Sequence, residues 1–228
     1  MYKLHFVNGR SLIIDLHLNG KTVIVVGAGN EALKRIKLLQ NEGCKIIVIG
    51  EKPNSEITKL SKTKKIIFKK IKITSSLFLK TYKPFLVIAS TTDSSLNQKI
   101  IETAKKMKIL VYASDSPDSS DISYLSLIDI KKTIKIGIST NGGSPIMAKK
   151  IKSNVEKCVQ KNISDEDIEL IKIQKFARIE SKKYILTQTE RKKFLYELMN
   201  DKRVKELLKD GKYKAIQTTI KKMVKDWK

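Results

Sequence analysis

Three small residues at a fixed spacing, Gly27, Gly29 and Ala32, are the first in the chain that could do chemistry. At this spacing the first glycine permits a tight turn, the second lets a pyrophosphate approach the backbone, and the third small residue lets a helix pack closely on a sheet. A helix that begins here also directs free N–H groups toward phosphates. The motif predicts a dinucleotide-binding turn, with a purely structural glycine turn as the alternative. The predicted cofactor contacts in the turn are Gly27, Ala28, Gly29, Asn30, Glu31 and Ala32.

Glu51 follows the motif by about 20 residues, the distance at which an acidic side chain binds the adenosine ribose of a dinucleotide. It closes a second apolar run, Lys45–Ile49. A carboxylate here would repel the 2′-phosphate of NADP, so Glu51 predicts NAD as the cofactor. A solvated charge at the start of a loop is the alternative.

Polar residues also follow the apolar run Phe85–Ala89, namely Ser90, Thr91 and Thr92. If that run is a parallel strand, these residues lie at the carboxyl edge of the sheet, where open α/β folds bind ligands. Their hydroxyl groups could contact ribose or phosphate. They could equally cap the next helix, with Thr92, Asp93 or Ser94 as the capping residue.

Asp115 comes just after another apolar run, Ile109–Ala113, and is the candidate catalytic residue. A carboxylate at this edge could accept a proton that a bound substrate loses during a reaction. An aspartate that forms a turn before Ser116-Pro117 is the alternative.

A loop rich in small polar residues, 139–145, leads into a lysine-bearing helix. Such a loop can present N–H groups to a carboxylate, and nearby lysines can attract it. A capped connection with a solvated face explains the same residues. The candidate substrate-binding residues are Asn141, Gly142, Ser144 and Lys149.

The spacing of apolar residues predicts the elements that position these groups. A strand, glycine turn, helix and strand within about 30 residues form one right-handed βαβ unit. Beyond Ser144-Pro145 the chain has a helical pattern, with capping patterns at Ser164…Asp167 and Thr187…Glu190. The sequence therefore predicts an α/β fold with a Rossmann-like parallel sheet followed by helices. The predicted strands are Lys21–Val26, Lys45–Ile49, Lys65–Phe68, Phe85–Ala89, Ile109–Ala113 and Thr133–Thr140, with helices from Ala32 to a stop at Gly43 and from Ser94 to Lys106.

The net charge of +24 over 228 residues predicts an anionic partner. The cations are almost all lysines, with only five arginines, so recognition of nucleic acid is disfavoured. Cys44 and Cys158 are isolated and no metal site is expected. No apolar run is long enough to cross a membrane, and Met1–Arg10 lack the apolar core of a targeting segment, so we expect a cytoplasmic protein with no membrane partner.

In this order the motifs resemble the precorrin-2 dehydrogenase family, which includes the N-terminal module of siroheme synthase and bifunctional dehydrogenase/ferrochelatases. Four positions depart from the family pattern: Ala28 stands where the family usually has Gly, Tyr112 where Asn is common, Leu125 where Pro is common, and Gly143 where Lys or Thr is frequent. The matching segments are 16–21, 26–29 with Lys34-Arg35, 89–93 with Leu96-Asn97, Asp115, 138–142 with Ser144-Pro145, and Glu190-Arg191.

The resemblance implies that the chain oxidises precorrin-2, a polycarboxylated tetrapyrrole, to sirohydrochlorin with NAD, and that Asp115 is the active-site aspartate. It also implies a homodimer with three parts: an NAD-binding Rossmann domain (1–113), a central dimerisation region (114–145) and a C-terminal helical domain (146–228) that helps to enclose the tetrapyrrole. A bifunctional enzyme that also inserts iron is the nearest alternative, although no histidine follows residue 17. An NAD-sensing regulatory module is a second alternative, and it would not need Asp115 or the loop at 139–145.

Overall fold

A computed structural model describes residues 11–227, so the expectation for Met1–Arg10 lies outside the described residues. Contacts divide the chain into two compact units, one spanning residues 12–124 and one holding the residues from Leu125 onward together with Ser11. Each unit is described by itself. Within residues 11–227 no helix combines the length and the apolar character needed to span a bilayer.

The first unit is built on a five-stranded parallel sheet with the strand order β3-β2-β1-β4-β5. This confirms the predicted Rossmann-like sheet, and α4 has the bounds that the sequence predicts. The elements are β1 Thr22–Val26, α1 Asn30–Leu39, β2 Lys45–Gly50, α2 Ser55–Lys62, β3 Ile67–Lys70, α3 Phe78–Tyr82, β4 Leu86–Ala89, α4 Ser94–Lys106 and β5 Leu110–Ala113.

Both faces of the central strands are buried, because successive side chains of a strand point to opposite faces of the sheet. Val23 and Val25 of β1 pack on one face with residues of α1, whereas Ile24 and Val26 pack on the other face with residues of α4. All four are fully buried. At about 1.5–3 kcal/mol for each buried aliphatic side chain, the two packed layers hold the strand ends rigidly in place.

Strand β3 begins at Ile67, two residues later than the sequence predicts. The reason is local, since Lys64 adopts a left-handed conformation (φ 56°) and the N–H of Lys65 donates to the carbonyl of Leu60. Lys64 and Lys65 therefore complete the C-terminal turn of α2 and cannot join the sheet. Helix α1 likewise ends at Leu39, before the predicted stop at Gly43.

The second unit begins with an antiparallel hairpin of β6 (Ser126–Ile130) and β7 (Ile134–Ile138). The sequence predicts β7 but misses β6. Tight hairpin turns usually need residues such as Asn-Gly that tolerate positive φ. Here Lys131 and Lys132 adopt φ values of 49° and 55°, and the side chain of Asp129 accepts a hydrogen bond from the N–H of Lys132.

The rest of the second unit is helical, as the sequence predicts. Ser144 caps α5, and Ser164 and Asp167 form a reciprocal capping box at the start of α6. The core of α6–α9 is centred on the fully buried side chain of Phe194, against which Trp227 packs edge to face. The helices are α5 Pro145–Asn162, α6 Asp165–Tyr184, α7 Gln188–Asn200, α8 Lys202–Lys209 and α9 Tyr213–Lys225.

Candidate active site

Gly27 forms the turn between β1 and α1 at a point where no larger residue fits. Its φ is +107°, and a Cβ atom placed on it would lie 2.4 Å from the backbone carbonyl oxygen of Ser90. The ends of β1 and β4 therefore meet here. The backbone N–H and the hydroxyl of Ser90 both donate to the carbonyl of Val26, at 2.8 and 3.0 Å.

Gly29 is the N-cap of α1 and faces open space. A Cβ atom placed on it would meet no atom within 4 Å. Because glycine has no side chain, nothing at the cap position bonds to the N–H groups of the first turn. The first N–H groups of a helix need partners, and anions supply them well. The open space beside Gly29 thus fits a pyrophosphate, the group that the glycine motif predicts.

The turn is tied to the neighbouring loop by Asn54, which the sequence analysis did not single out. Its N–H donates to the carbonyl of Ala28 at 2.8 Å, and its side-chain amide donates to Oδ1 of Asn30 at 2.7 Å. The side chain of Ala28 itself is buried, 5% exposed, and packs so closely on Gly50 that a Cβ there would lie 2.9 Å away. The turn is held rigidly before any ligand binds.

Two carboxylates lie near the turn, and only one of them forms an ion pair with another described residue. Glu51 directly follows Gly50, which packs against Ala28, and its exposed side chain forms no ion pair within residues 11–227. Glu31, in the first turn of α1, is paired with Lys34, and the hydrogen bond from that lysine holds the pKa of the Glu31 carboxyl below its usual value. Glu51 is therefore the acid free to bind a ribose.

The residues after β4 form the other side of the sheet edge. Thr91 is tied into the start of α4, because its hydroxyl donates to Oδ1 of Asn97 at 2.8 Å and accepts from the N–H of Asp93 at 3.2 Å. Asp93 is the N-cap of α4, which settles which of the three candidates caps this helix. The side chain of Thr92 is exposed and makes no hydrogen bond to the rest of the described chain, so its hydroxyl is available to a ligand.

Asn97 connects Asp115 to this edge. It is 1% exposed, and its amide nitrogen donates to the carbonyl of Thr91 at 3.1 Å and to Oδ2 of Asp115 at 2.9 Å. Its own oxygen accepts the bonds from Thr91, so the buried amide is fully satisfied. Asp115 itself is exposed, and its second oxygen accepts no hydrogen bond from another described residue. Asp115 is thereby held in one orientation with one oxygen open to a ligand.

A half-buried cation, Arg35, packs on the face of the sheet that α1 covers. The guanidinium of Arg35 lies 4.8 Å from the ring centre of Tyr112 and 4.4 Å from that of Tyr124, and it donates to the hydroxyl of Tyr112 at 2.8 Å. Burial raises the pKa of Tyr124 to about 12. This cluster joins α1 to β5, the strand that leads to Asp115.

Because Tyr112 departs from the family pattern, its contact with Arg35 offers a test. We expect Tyr112→Phe to lower the free energy of unfolding by about 1.5–3 kcal/mol, since the hydrogen bond to a charged donor is lost in a buried place. Urea unfolding of the variant measures this. NAD affinity should stay within about twofold, because the ring that packs against Arg35 remains. Full stability in the variant would contradict the assignment of this contact.

The predicted substrate-binding residues lie in the second unit. Asn141 and Gly142 adopt positive φ in the turn after β7, and the side-chain oxygen of Asn141 accepts from the hydroxyl of Ser11 at 2.9 Å. Ser144 uses its hydroxyl oxygen to cap α5, and Lys149 is exposed on that helix. Their role toward a substrate stays a prediction.

The fold and the open glycine turn define an NAD(P)-binding protein of the Rossmann type. In agreement, the sequence model of a family described as "Putative NAD(P)-binding" matches residues 14–126, which contain the whole parallel sheet. Its motifs resemble those of precorrin-2 dehydrogenases and siroheme synthases, and the proteins to which it is similar include both.

Proteins of known name are similar to this chain over most of its length. A siroheme synthase from Buchnera aphidicola is 29% identical over 93% of this chain, and one from Nitrosococcus oceani is 29% identical over 64%. A solved structure described as "SirC, precorrin-2 dehydrogenase" matches with a TM-score of 0.67 and 22% identity, covering 95% of this chain and 100% of the other. Both siroheme synthases are longer proteins, since the match covers only 43% and 30% of their lengths.

Proposed function

We propose that the chain oxidises precorrin-2 to sirohydrochlorin with NAD⁺ as the acceptor. One observation supports this most strongly: a carboxylate, Asp115, is fixed by the buried amide of Asn97 at the same sheet edge as the open turn at Gly29. Nucleotide binding alone would not need that carboxylate. An NAD-sensing module therefore accounts for less of the geometry than a dehydrogenase does.

Each group at the edge has a distinct task in this proposal. When bound, NAD⁺ supplies the hydride acceptor. The N–H groups at the start of α1 hold its pyrophosphate, and Glu51 holds its ribose hydroxyls. Asp115 accepts the proton that the substrate must lose after the hydride has left, and Asn97 keeps that carboxylate correctly oriented.

The loop at Asn141, Gly142 and Ser144, with Lys149, binds carboxylates of the substrate in this proposal. The net charge of +24 supports it, because a basic surface speeds the approach of a polyanion. We further propose a cytoplasmic homodimer in which residues 114–145 are the dimerisation region.

A two-stage assay tests the proposal. Purified protein is mixed with precorrin-2 and NAD⁺ without metal, and NADH is followed by its absorbance. We expect NADH and sirohydrochlorin to form in equal amounts, whereas an absence of NADH would reject the dehydrogenase. Fe²⁺ or Co²⁺, as a substrate, is then added. Metal insertion no faster than the spontaneous reaction supports a dehydrogenase alone, and acceleration supports the bifunctional alternative.

The preference for NAD over NADP depends on Glu51 in this proposal. We expect Glu51→Ser to reduce the ratio of kcat/KM for NAD to that for NADP by about tenfold, which is about 1.4 kcal/mol, because the repulsion of the 2′-phosphate is removed. Glu102→Ser is the matched control, since it removes an exposed carboxylate from α4 in the same unit. An unchanged ratio in Glu51→Ser would show that the ribose lies elsewhere.

A further inference from the structure

The helical part of the second unit contains a cleft between α6 and α7. Its volume is about 480 Å³, which is within the range of about 300–1,000 Å³ that small-molecule sites occupy. On α6 it is lined by Gln174, Arg178, Ser181 and Lys182. Residues with this spacing, i, i+4, i+7 and i+8, share one face of a helix. The cleft therefore lies against a continuous polar stripe.

A polar stripe between two neighbouring helices is unusual, because such positions normally carry apolar residues that pack together. The apolar contacts of α6 are made elsewhere on the helix, where Ile173 and Ala177 are buried against the helical core. Packing thus does not require the cleft to be polar. Its residues are available for another role.

The charges that line the cleft are all positive. They are Arg178 and Lys182 from α6 and Arg191 and Lys192 from α7, and no acidic residue lines the cleft. Within residues 11–227, none of these four forms an ion pair.

Neighbouring lysines on the same two helices are paired. Lys183 binds Glu180 at 2.7 Å, and Lys193 binds Glu190 at 2.8 Å. Acids are therefore present on both helices but lie outside the cleft, and the four cations inside it lack counter-charges from the described chain.

One of the four cations is held in place by the backbone. Nη1 of Arg191 donates to the carbonyls of Ile185 and Leu186, at 2.8 and 2.7 Å, where α6 ends. These bonds fix the guanidinium but bring no carboxylate to it. A cation that is positioned in advance binds an anion with a smaller loss of side-chain entropy.

We propose that this cleft binds a small polyanion that carries at least two carboxylate or phosphate groups. Arginine forks and lysine ammonium groups are the side chains that bind both kinds of oxyanion. Four unpaired cations favour a ligand with more than one charge, and the cleft is sized for a small acid or for one charged arm of a larger molecule. The cleft lies within the second unit, and the proposal does not depend on the function proposed above.

Calorimetric titration of the full chain with 1,2,3-propanetricarboxylate and with pyrophosphate, at about 0.15 M salt, tests the proposal. We expect the wild-type protein to bind at least one of the two probes and the Arg178→Gln/Lys182→Gln variant to bind it about tenfold more weakly or worse. The matched control is Lys172→Gln/Lys183→Gln, which removes the same charge from the same helix outside the cleft and should stay within about twofold. No binding to either probe, or equal weakening in both variants, would overturn the proposal.

A second matched pair keeps the test decisive if the double variant fails to fold. Lys192→Gln lies in the cleft, whereas Lys193→Gln lies beside it on α7 and is paired with Glu190. Only the first should weaken probe binding. Equal affinities in these two variants would again overturn the site.

Enzyme kinetics distinguish a tetrapyrrole from a free small acid as the ligand of the cleft. This experiment alone rests on the proposed function. If the charged arms of the tetrapyrrole occupy the cleft, Arg178→Gln/Lys182→Gln raises KM for precorrin-2 and leaves kcat unchanged. If a free small acid occupies it, KM is unchanged while binding of the probe is lost. A wild-type protein that makes no NADH would reject the dehydrogenase, but the calorimetric result would stand.

Discussion

Replacing Gly29 with aspartate is expected to weaken NAD binding by at least about 100-fold while the protein stays as stable as before. A Cβ atom at this position would meet no atom within 4 Å outside the adjacent residues, so the fold has room for a side chain here. Aspartate is also a favoured N-cap residue, and it would bond to the first turn of α1. The same carboxylate would stand where the pyrophosphate must lie, and like charges repel. Calorimetry with NAD⁺ and thermal unfolding measure the two effects.

Gly29→Ser provides a graded comparison, because serine also caps the helix but carries no charge. We expect its NAD affinity to lie between those of wild type and Gly29→Asp. If Gly29→Asp bound NAD⁺ as tightly as wild type, the pyrophosphate could not lie at this turn. A large loss of stability would show that the space beside Gly29 is needed by the fold itself.

Asp115→Ala is expected to lower kcat for precorrin-2 oxidation by about 100-fold or more, the range typical of general acid–base groups. NAD⁺ affinity should change by less than about twofold, because Asp115 does not belong to the glycine turn. The buried amide of Asn97 loses one acceptor but keeps its bond to the carbonyl of Thr91. Stopped-flow measurement of NADH formation under saturating substrate checks the prediction.

Asp118→Ala is the matched control, since it removes an exposed aspartate three residues further along the same segment. Its kcat should be close to that of wild type. Asp115→Asn separates proton transfer from orientation, because the amide can still accept the bond from Asn97 but cannot take up the proton. Equal rates for Asp115→Asn and wild type would remove Asp115 from the chemistry.

The glycine turn and its strands were predictable because their information is local. The run 21–26, two glycines and a helical pattern lie within about 20 consecutive residues, and each part constrains the next. The position of Asp115 at the same edge followed from the rule that parallel strands end together. These predictions needed no knowledge of side-chain contacts.

The contacts that the sequence analysis did not predict join residues far apart in the sequence. Asn97 reaches Asp115 across 18 positions, and Arg35 reaches Tyr112 across 77. A polar residue within a helical pattern normally faces water, and only the packing of α4 against the strands buries Asn97. Strand β6 was missed for a different reason, since two lysines in a left-handed turn give no recognisable hairpin signal.

A crystal structure of the chain with NAD⁺ tests the central claim most directly. We predict that the pyrophosphate will contact the backbone N–H groups at the start of α1 beside Gly29, with the adenosine ribose at Glu51 and the nicotinamide toward Asp115. A dinucleotide bound elsewhere on the chain, or a turn closed by its own side chains in the presence of saturating NAD⁺, would contradict it.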